Sequence, residues 1–425
     1  MNADKTLAML GLPPDHPQLN TADREEIVEF FANKVAKYDA DWLDTVANEE
    51  YRQSGTICYT PEEFFQTEHG KAAKTQGLWT LDAVNNEKLP VIPWPTLTDQ
   101  NLRPLAGIKI VDISRVIAAP TITRILASLG ATVIRVSNNV EPEFGVLLLE
   151  TNLGKYDMRI NLKTPEGKKE MAHILAEADV ILDGYRPGCM ERLGFGRQAV
   201  HEMALKRGIV YARENCYGWA GPWSLRSGWQ QISDCVTGVA WLQGKFLGLN
   251  EPVLPLLPNS DYQTGIVGAI AIVQALHKRA HQGGSYNVDV SLNQFNIWYL
   301  DLGQYTDTQG AEIMAKYPDL HLRHTDEMIS LVTKTLTMMI KSVGEIFGPQ
   351  NFETINSPKW DVEHTGDLIP MTILAPVITF DKTKLSYNVG SCPPGSYDSS
   401  IGWNVAQLTR TFNHMKQNYN TKDDE

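Results

Sequence analysis

One carboxylate stands where a long apolar segment begins. Asp261 opens the stretch DYQTGIVGAIAIVQALHKR, which has the pattern of a buried helix. An aspartate at a helix start commonly caps the helix, because its side chain accepts hydrogen bonds from the first free N–H groups. The helix dipole also keeps such a carboxylate ionised, so Asp261 could instead act as a nucleophile. Position alone leaves both interpretations open.

Motifs of several other chemistries are missing. The loop after the first core strand is SRVIAAP rather than GxGxxG, so a dinucleotide pyrophosphate could not approach the backbone in the usual way. Walker A, HExxH and GxSxG motifs are absent, and the ten histidines show no metal-ligand spacing. These absences count against most redox and metal-dependent classes of enzyme.

Alternating strands and helices should position the remaining candidates. GIKIVDI is predicted as a strand, AAPTITRILASLG as a helix with Pro120 near its start and Gly130 as its stop, and ATVIRV as the next strand. The pattern recurs in TPEGKKEMAHILAEA, a helix capped by Thr164, followed by DVILD, and again in RQAVHEMALKRG followed by IVYA. This alternation predicts a parallel sheet covered on both faces.

Composition and predicted secondary structure divide the chain into four stretches. Residues 1–85 are predicted to be helical, with Thr21 as the cap of the helix in EEIVEFFANKV. Residues 86–103 are rich in proline and extended. Residues 104–305 form the α/β core, and residues 306–425 return to it, with a polar tail from about residue 406.

Net charge and cysteine content indicate which binding partners and which cellular compartment to expect. The net charge of −12 argues against a nucleic acid or an anionic membrane as partner, because both would repel an acidic surface. The five cysteines are odd in number and lack CxxC spacing, which favours a reducing compartment. The first residues lack the order of a secretory signal, and no apolar run reaches the roughly 18 residues of a membrane span. We therefore expect a cytoplasmic protein.

Four ordered motifs between residues 104 and 295 resemble those of one enzyme family. They are PLAGIKIVDISRVIAAPTITRILASLGATVIRV, INLKTPEGKKEMAHILAEADVILDGYRPGCMERLGFG, YGWAGPW and SDYQTGIVGAIAIVQALHKRAHQGGSYNVDVSL. Together they resemble the class III (CaiB/BaiF-like) CoA-transferases, which include formyl-CoA transferase and carnitine CoA-transferase. The order of the motifs makes the resemblance more specific than any one of them.

The resemblance implies a fold, a reaction and a nucleophile. The fold would be α/β, with a Rossmann-like parallel-sheet CoA-binding core, a smaller α+β domain and an interlocked homodimer. The reaction would move CoA from an acyl-CoA to a carboxylic acid, with CoA as a substrate rather than a permanently bound cofactor, and without a metal. Asp261 matches the nucleophile, which forms an anhydride with the acyl group and then a thioester with CoA.

The residues that contact CoA are implied by matching positions in the same motifs. The first loop and the position before NLKTPEG touch the cofactor, and the loop DGYRPGCMERLGFG contacts its pantetheine and phosphates. A guanidinium binds phosphate bidentately, which favours Arg192 as the phosphate ligand, while Arg186 could equally be a solvated loop charge. The candidates are Val116, Ile117, Ile160, Gly184, Tyr185, Arg186 and Arg192.

Two alternative functions remain open. Racemases of α-methylacyl-CoA, in the same superfamily, use a histidine where RSGWQQISDCVTG has Trp229, and an indole cannot take a proton from carbon. The other alternative is a non-catalytic CoA-binding paralogue. Ser137 and Asn138 stand where the family carries an acidic and often a basic residue, a glycine-rich shielding loop has no counterpart, and a segment resembling the small domain precedes the core.

Overall fold

Two compact units make up the chain. The computed structural model describes residues 3–14, 16, 19, 22–84, 89–97, 102–138, 143–204, 206–360 and 368–404. Unit 1 comprises Met1–Leu78, Asn215–Ser260 and Ser291–Val343, and unit 2 comprises Trp79–Glu214, Asp261–Val290 and Gly344–Glu425. Each unit is therefore assembled from three separated stretches of sequence.

Sixteen α-helices and nine β-strands are found in the described ranges. The helices are α1 Ala3–Met9, α2 Arg24–Val35, α3 Ala40–Thr45, α4 Pro61–Gln66, α5 Glu68–Lys74, α6 Ala118–Ser128, α7 Gly145–Thr151, α8 Pro165–Leu175, α9 Cys189–Leu193, α10 Arg197–Met203, α11 Gln230–Val236, α12 Val239–Phe246, α13 Asn259–Gln282, α14 Leu292–Asp301, α15 Asp307–Met314 and α16 Met328–Ser342. The strands are β1 Thr80–Val84, β2 Lys109–Ile113, β3 Thr132–Ser137, β4 Lys155–Arg159, β5 Val180–Asp183, β6 Val210–Asn215, β7 Ser285–Ser291, β8 Phe352–Pro358 and β9 Leu368–Leu374.

A seven-stranded sheet forms the centre of unit 2. Its strand order is β1-β7-β6-β5-β2-β3-β4. Strand β2 lies parallel to β3 and β5, β3 to β4, and β5 to β6, whereas β1 pairs antiparallel with β7 at the edge. Strands β8 and β9 form a separate antiparallel pair. The mostly parallel sheet confirms the predicted α/β class.

Burial on both faces explains why most residues of the central strands are apolar. Every residue of β3 is buried, as are all of β5 and nearly all of β2. Two charged pairs lie inside this layer: Lys155 Nζ is 2.8 Å from Asp112, and Arg135 is 2.5 Å from Asp157. Burial alone would raise the pKa of Asp112, but the neighbouring Lys155 ammonium outweighs it and lowers that pKa.

The C-terminal segment completes unit 2. Its Gly395 N–H donates to the carboxylate of Asp157 at 2.7 Å, and its Tyr397 N–H donates to the Asp157 carbonyl at 3.0 Å. Farther along, the Trp403 indole donates to the carbonyl of Ile174 at 2.9 Å. The segment thus supplies hydrogen bonds to the middle of β4 and to α8.

Unit 1 is joined by contacts between distant parts of the sequence. Arg226 forms ion pairs with Asp44 at 2.8 Å and Glu49 at 3.0 Å. The imidazole of His69, which is fully buried, accepts a hydrogen bond from the Trp223 N–H at 3.1 Å. These contacts attach the N-terminal helices to the stretch that follows β6.

Most of the helices and strands predicted for the core are confirmed. The differences from the prediction lie in the N-terminal stretch, at the start of α2 and at β1. Thr164 caps α8, where its side chain accepts from the Gly167 N–H, and Gly130 follows α6 with a φ of +108°. Asp23 caps α2 in a capping box with Glu26, and the predicted cap, Thr21, lies outside the described residues. Strand β1 falls inside the stretch 1–85.

Candidate active site

Asp261 lies in the first turn of α13, at the third residue of the helix. It does not occupy the capping position before the helix, which was one of the two interpretations of the sequence. Its side chain is largely buried, with 9% of its surface exposed. Free N–H groups of the first turn and the positive end of the helix dipole favour an ionised carboxylate at this place.

Two glycines bring α13 close to α6. A Cβ placed on Gly265 would lie 2.5 Å from the side chain of Thr121 and 3.2 Å from the carbonyl of Ala118. One turn later, a Cβ on Gly268 would lie 2.4 Å from Ile122. Since Gly265 is one turn after Asp261, the beginning of α13 lies beside the beginning of α6. The pattern of the sequence did not reveal this role for the glycines.

The predicted first CoA loop leads directly into α6. Val116 has a φ of +77°, a left-handed conformation that is strained for a β-branched residue. Ile117 is the cap residue of α6, whose first buried residue is Ala118. The structure therefore places Val116 and Ile117 at the same helix end that α13 approaches, close along the backbone to the carbonyl that Gly265 faces.

The loop after β5 belongs to the same edge of the sheet. A Cβ on Gly184 would lie 2.6 Å from Ala119 and 2.9 Å from Ser114, so this loop contacts the β2–α6 loop directly. Tyr185 packs against the core, and its N–H donates to the carboxylate of Asp183 at 3.0 Å. The carboxyl ends of β2 and β5 are adjacent, which is where open α/β sheets bind ligands.

The remaining three predicted CoA contacts are Ile160, Arg186 and Arg192, and the structure supports them less directly than the loop residues. The Ile160 side chain is buried in the core, so only its backbone could reach a ligand. Arg186 is exposed in the loop after β5, and Arg192 is exposed on the short helix α9. A Cβ on Gly188 would lie 3.1 Å from the Arg192 guanidinium, so this cation reaches back over its own loop.

A polar cluster beside Asp261 was missed by sequence reasoning. The Tyr262 hydroxyl donates to Glu150 on α7 at 2.6 Å, and Arg124 on α6 lies 3.2 Å from the same carboxylate. Arg124 also donates to the Tyr387 hydroxyl at 3.3 Å. These residues come from four separate segments, so no local motif could have indicated them.

Two buried carboxyls at the carboxyl ends of the strands have raised pKa values. Burial raises the pKa of Asp183, at the end of β5, to about 7. Burial and then the negative charge of Asp183 raise the pKa of Glu214, near the end of β6, to about 8. Because the raised pKa values keep more of both carboxyls protonated near neutral pH, they repel an anionic ligand at this edge of the sheet less than ordinary carboxylates would.

Trp229, which stands at the position of the racemase histidine, is the residue before α11 in unit 1 and is half-buried. Among the residues that the structure describes, no group of three or more histidine, cysteine, aspartate or glutamate side chains could hold a metal ion. Within the same ranges no helix has the length and apolar character needed to cross a membrane.

The chain belongs to CoA-transferase family III, whose family model matches residues 105–323. An acetyl-coenzyme A transferase, nodX, of Hypoxylon pulicicidum is 40% identical over 92% of this chain and 66% of its own length. An acyl-CoA transferase of Gibberella moniliformis is 33% identical over 92% of this chain and 68% of its own length. The chain thus spans about two thirds of the length of these two relatives.

The solved structures agree on the fold. A CaiB/BaiF family protein from Brucella suis has a TM-score of 0.50 and 19% identity, covering 72% of this chain and 99% of that one. The family match and the names of the relatives support CoA transfer as the activity and a transferase as the class of enzyme.

Proposed function

We propose that the chain transfers CoA from an acyl-CoA donor to a carboxylic acid, with the Asp261 carboxylate as the nucleophile. The observation that carries this proposal is the placement of Asp261, in the first turn of α13, where that helix approaches the start of α6 and the Val116–Ile117 loop. The surroundings of a largely buried carboxylate restrict its orientation, and nearby free N–H groups can stabilise an oxyanion.

The reaction proceeds through two kinds of covalent intermediate. The Asp261 oxygen attacks the thioester carbon of the donor, the C–S bond breaks, and an acyl–aspartyl anhydride and CoA thiolate result. The thiolate attacks the aspartyl carbon and releases the donor acid. The acceptor carboxylate then attacks this thioester, and the freed thiolate takes the acceptor acyl group, which restores Asp261. Each step exchanges one bond at an acyl carbon and uses no oxidant or resident metal.

We assign the main CoA contacts to the loops at the carboxyl ends of β2 and β5. The backbone of Val116 and Ile117 would hold the cofactor next to α6, and Gly184 and Tyr185 would contact the pantetheine arm. Gly184 supports this assignment, because its missing side chain lets its loop lie against Ser114 and Ala119, next to the Val116–Ile117 loop. The other expected contacts are the backbone of Ile160 and, for the phosphates, Arg192 and Arg186.

A homodimer in the cytoplasm completes the proposal. The side chains of Ile266 and Ile270, four residues apart on α13, are 44% and 52% exposed, which is unusual for apolar residues in the middle of a long helix. A second copy of the chain would cover these two side chains in a homodimer. Light scattering after gel filtration would test this by measuring the mass of the particle in solution, which should be that of two chains. The five cysteines, all of which lie in the described ranges, form no disulfide, which suits a reducing compartment.

Covalent trapping tests the nucleophile. The protein is mixed with acetyl-CoA or succinyl-CoA, treated with hydroxylamine and digested, and the peptide containing Asp261 is examined by mass spectrometry. An activated aspartyl carbonyl is converted to a hydroxamate, so the wild type should carry this mark on Asp261 and Asp261→Asn should carry none. Transfer to a panel of carboxylic acids should be lost in the same variant.

A matched control is available in Asp307, another aspartate in the first turn of a helix, which is exposed. Asp307→Asn should retain full transfer, because it removes the same charge from the same kind of position elsewhere. A racemase would instead exchange the α-proton of a branched acyl-CoA with solvent without marking Asp261, and a non-catalytic paralogue would do neither. Full transfer by Asp261→Asn would refute the mechanism.

A further inference from the structure

A buried polar cluster in unit 1 surrounds a single carboxyl. Asp234 on α11 is 1% exposed, and its carboxyl accepts hydrogen bonds from the Ser260 hydroxyl at 3.1 Å and the Asn296 amide at 3.0 Å. The Gln230 amide donates to its other oxygen. None of these three partners carries a positive charge. Burying a carboxyl without a cation is costly, so an apolar residue here would serve packing better.

The cluster extends over three helices. Asn296 on α14 also donates to the Ser233 hydroxyl at 2.9 Å, and Ser233 donates to Asn293 at 2.8 Å. Ser233, Asn293 and Asn296 are all buried. Hydrogen bonds inside a low-dielectric interior are strong and directional, so the cluster fixes the side chains that enter it.

One member of the cluster adjoins the proposed nucleophile. Ser260 is 2% exposed, lies in the first turn of α13 and is joined by a peptide bond to Asp261. The first turn of a helix lacks half of its intrahelical hydrogen bonds and frays readily. A hydrogen bond from Ser260 to a fixed acceptor therefore restricts the backbone from which the Asp261 side chain projects.

We infer that Asp234 is a positioning residue, which holds the first turn of α13 through Ser260 so that Asp261 meets the acyl carbon in the orientation that acylation requires. This inference rests on the proposed function of Asp261. A displacement of about 1 Å in a reacting group can cost about a hundredfold in rate, so such a support affects the chemical step more than the binding of the donor.

The protonation state of Asp234 suggests an isosteric variant. Burial raises the pKa of Asp234 to about 7, so at neutral pH the carboxyl is partly protonated. The Gln230 carbonyl oxygen has no hydrogen-bond partner among the described residues, and turning this amide by half a rotation would offer that oxygen to a donor on Asp234. Asparagine at position 234 can donate there and still accept from Ser260 and Asn296, whereas alanine can do neither.

The experiment compares Asp234→Asn, Asp234→Ala and Ser260→Ala with the wild type. Single-turnover labelling of Asp261 by acetyl-CoA or succinyl-CoA, followed by mass spectrometry, gives the acylation rate and its dependence on donor concentration. We expect Asp234→Ala and Ser260→Ala to slow acylation at saturating donor about tenfold, with less than about a twofold change in half-saturation. Asp234→Asn should stay within about twofold of the wild type.

Two controls separate positioning from loss of stability. Thr237→Val removes a 2.6 Å hydrogen bond to the Ser233 carbonyl at the end of α11 without touching Ser260, so it should lower the melting temperature but leave the acylation rate unchanged. The double variant Asp234→Ala/Ser260→Ala should be no slower than either single variant, because both remove the same hydrogen bond.

Hydrogen exchange of the peptide covering residues 258–266 gives a readout that needs no donor. Exchange should be faster in Asp234→Ala and Ser260→Ala and unchanged in Asp234→Asn and Thr237→Val. Acylation of Asp234→Ala at the wild-type rate, or a loss in Asp234→Asn as large as in Asp234→Ala, would overturn the inference. If wild-type Asp261 carried no covalent label, the proposed function would be overturned instead. In that case, unchanged hydrogen exchange of residues 258–266 in Asp234→Ala would reject the positioning role as well.

Discussion

Replacing Glu214 by glutamine should make the stability of the protein less dependent on pH. Glu214 is buried near the end of β6, and its pKa is raised from the ordinary value of 4.5 to about 8. The folded protein therefore holds this proton more tightly than the unfolded chain does. Stability is retained at low pH and is lost as the pH rises from the unfolded pKa towards the folded one.

The size of the effect follows from the separation of the two pKa values. Each pH unit between them changes the free energy of unfolding by about 1.4 kcal/mol for one group. Integrated from about pH 6 to about pH 8, with the curve flattening as it reaches the folded pKa, the wild type should lose about 2 kcal/mol through Glu214. Glutamine keeps the shape of the protonated side chain and cannot ionise, so Glu214→Gln removes this loss.

Urea denaturation at several pH values measures the difference. The free energy of unfolding of Glu214→Gln minus that of the wild type should rise by about 2 kcal/mol across this window and level off above about pH 8. Glu312→Gln, on the exposed surface of α15, is the control, and its difference should not change with pH. A constant difference for Glu214→Gln across the window would show that Glu214 is not held protonated, and the reasoning would fail.

Three further substitutions probe packing, buried charge and helix capping. Gly265→Val places methyl groups where the side chain of Thr121 already lies, so it should cost about 1–3 kcal/mol by overpacking, and an unchanged urea midpoint would contradict the close crossing of α13 and α6. Lys155→Met leaves Asp112 charged and buried and should cost about 3–5 kcal/mol in the same assay, most of which Asp112→Asn in the same chain should restore. Thr60→Ala breaks the capping box of α4 and should cost about 1 kcal/mol, measured as a fall in melting temperature.

Local patterns predicted the core elements well because their causes are local. Thr164 and Pro165 define the start of α8 by a cap and a fixed φ, and both act within one turn of the chain. The parallel strands were predicted because burial on both faces makes most of their residues apolar, and because they alternate with helices. Asp23 was overlooked as the cap of α2 because Thr21, two residues earlier, belongs to the same class of capping residue.

Features that depend on distant partners could not be predicted in this way. Strand β1 is short and only partly buried, and its strand character comes from pairing with β7, more than two hundred residues later. Asp234 lies in a helix of ordinary composition, and its importance depends on Ser260 and Asn296, which arrive from other helices. For Asp261 the ordered family motifs supplied what its position alone could not.

The order in which the chain leaves the ribosome matters for unit 2. The final hydrogen bonds to Asp157 come from Gly395 and Tyr397, and a further tie comes from Trp403. During synthesis the Arg135–Asp157 pair must wait, partly hydrated, until residues 395–403 emerge, so unit 2 can reach its final packing only well after the strands of its central sheet have been made. A recombinant fragment that stops after α16 would keep every strand from β1 to β7 and still expose an incompletely bonded buried charge to its surroundings.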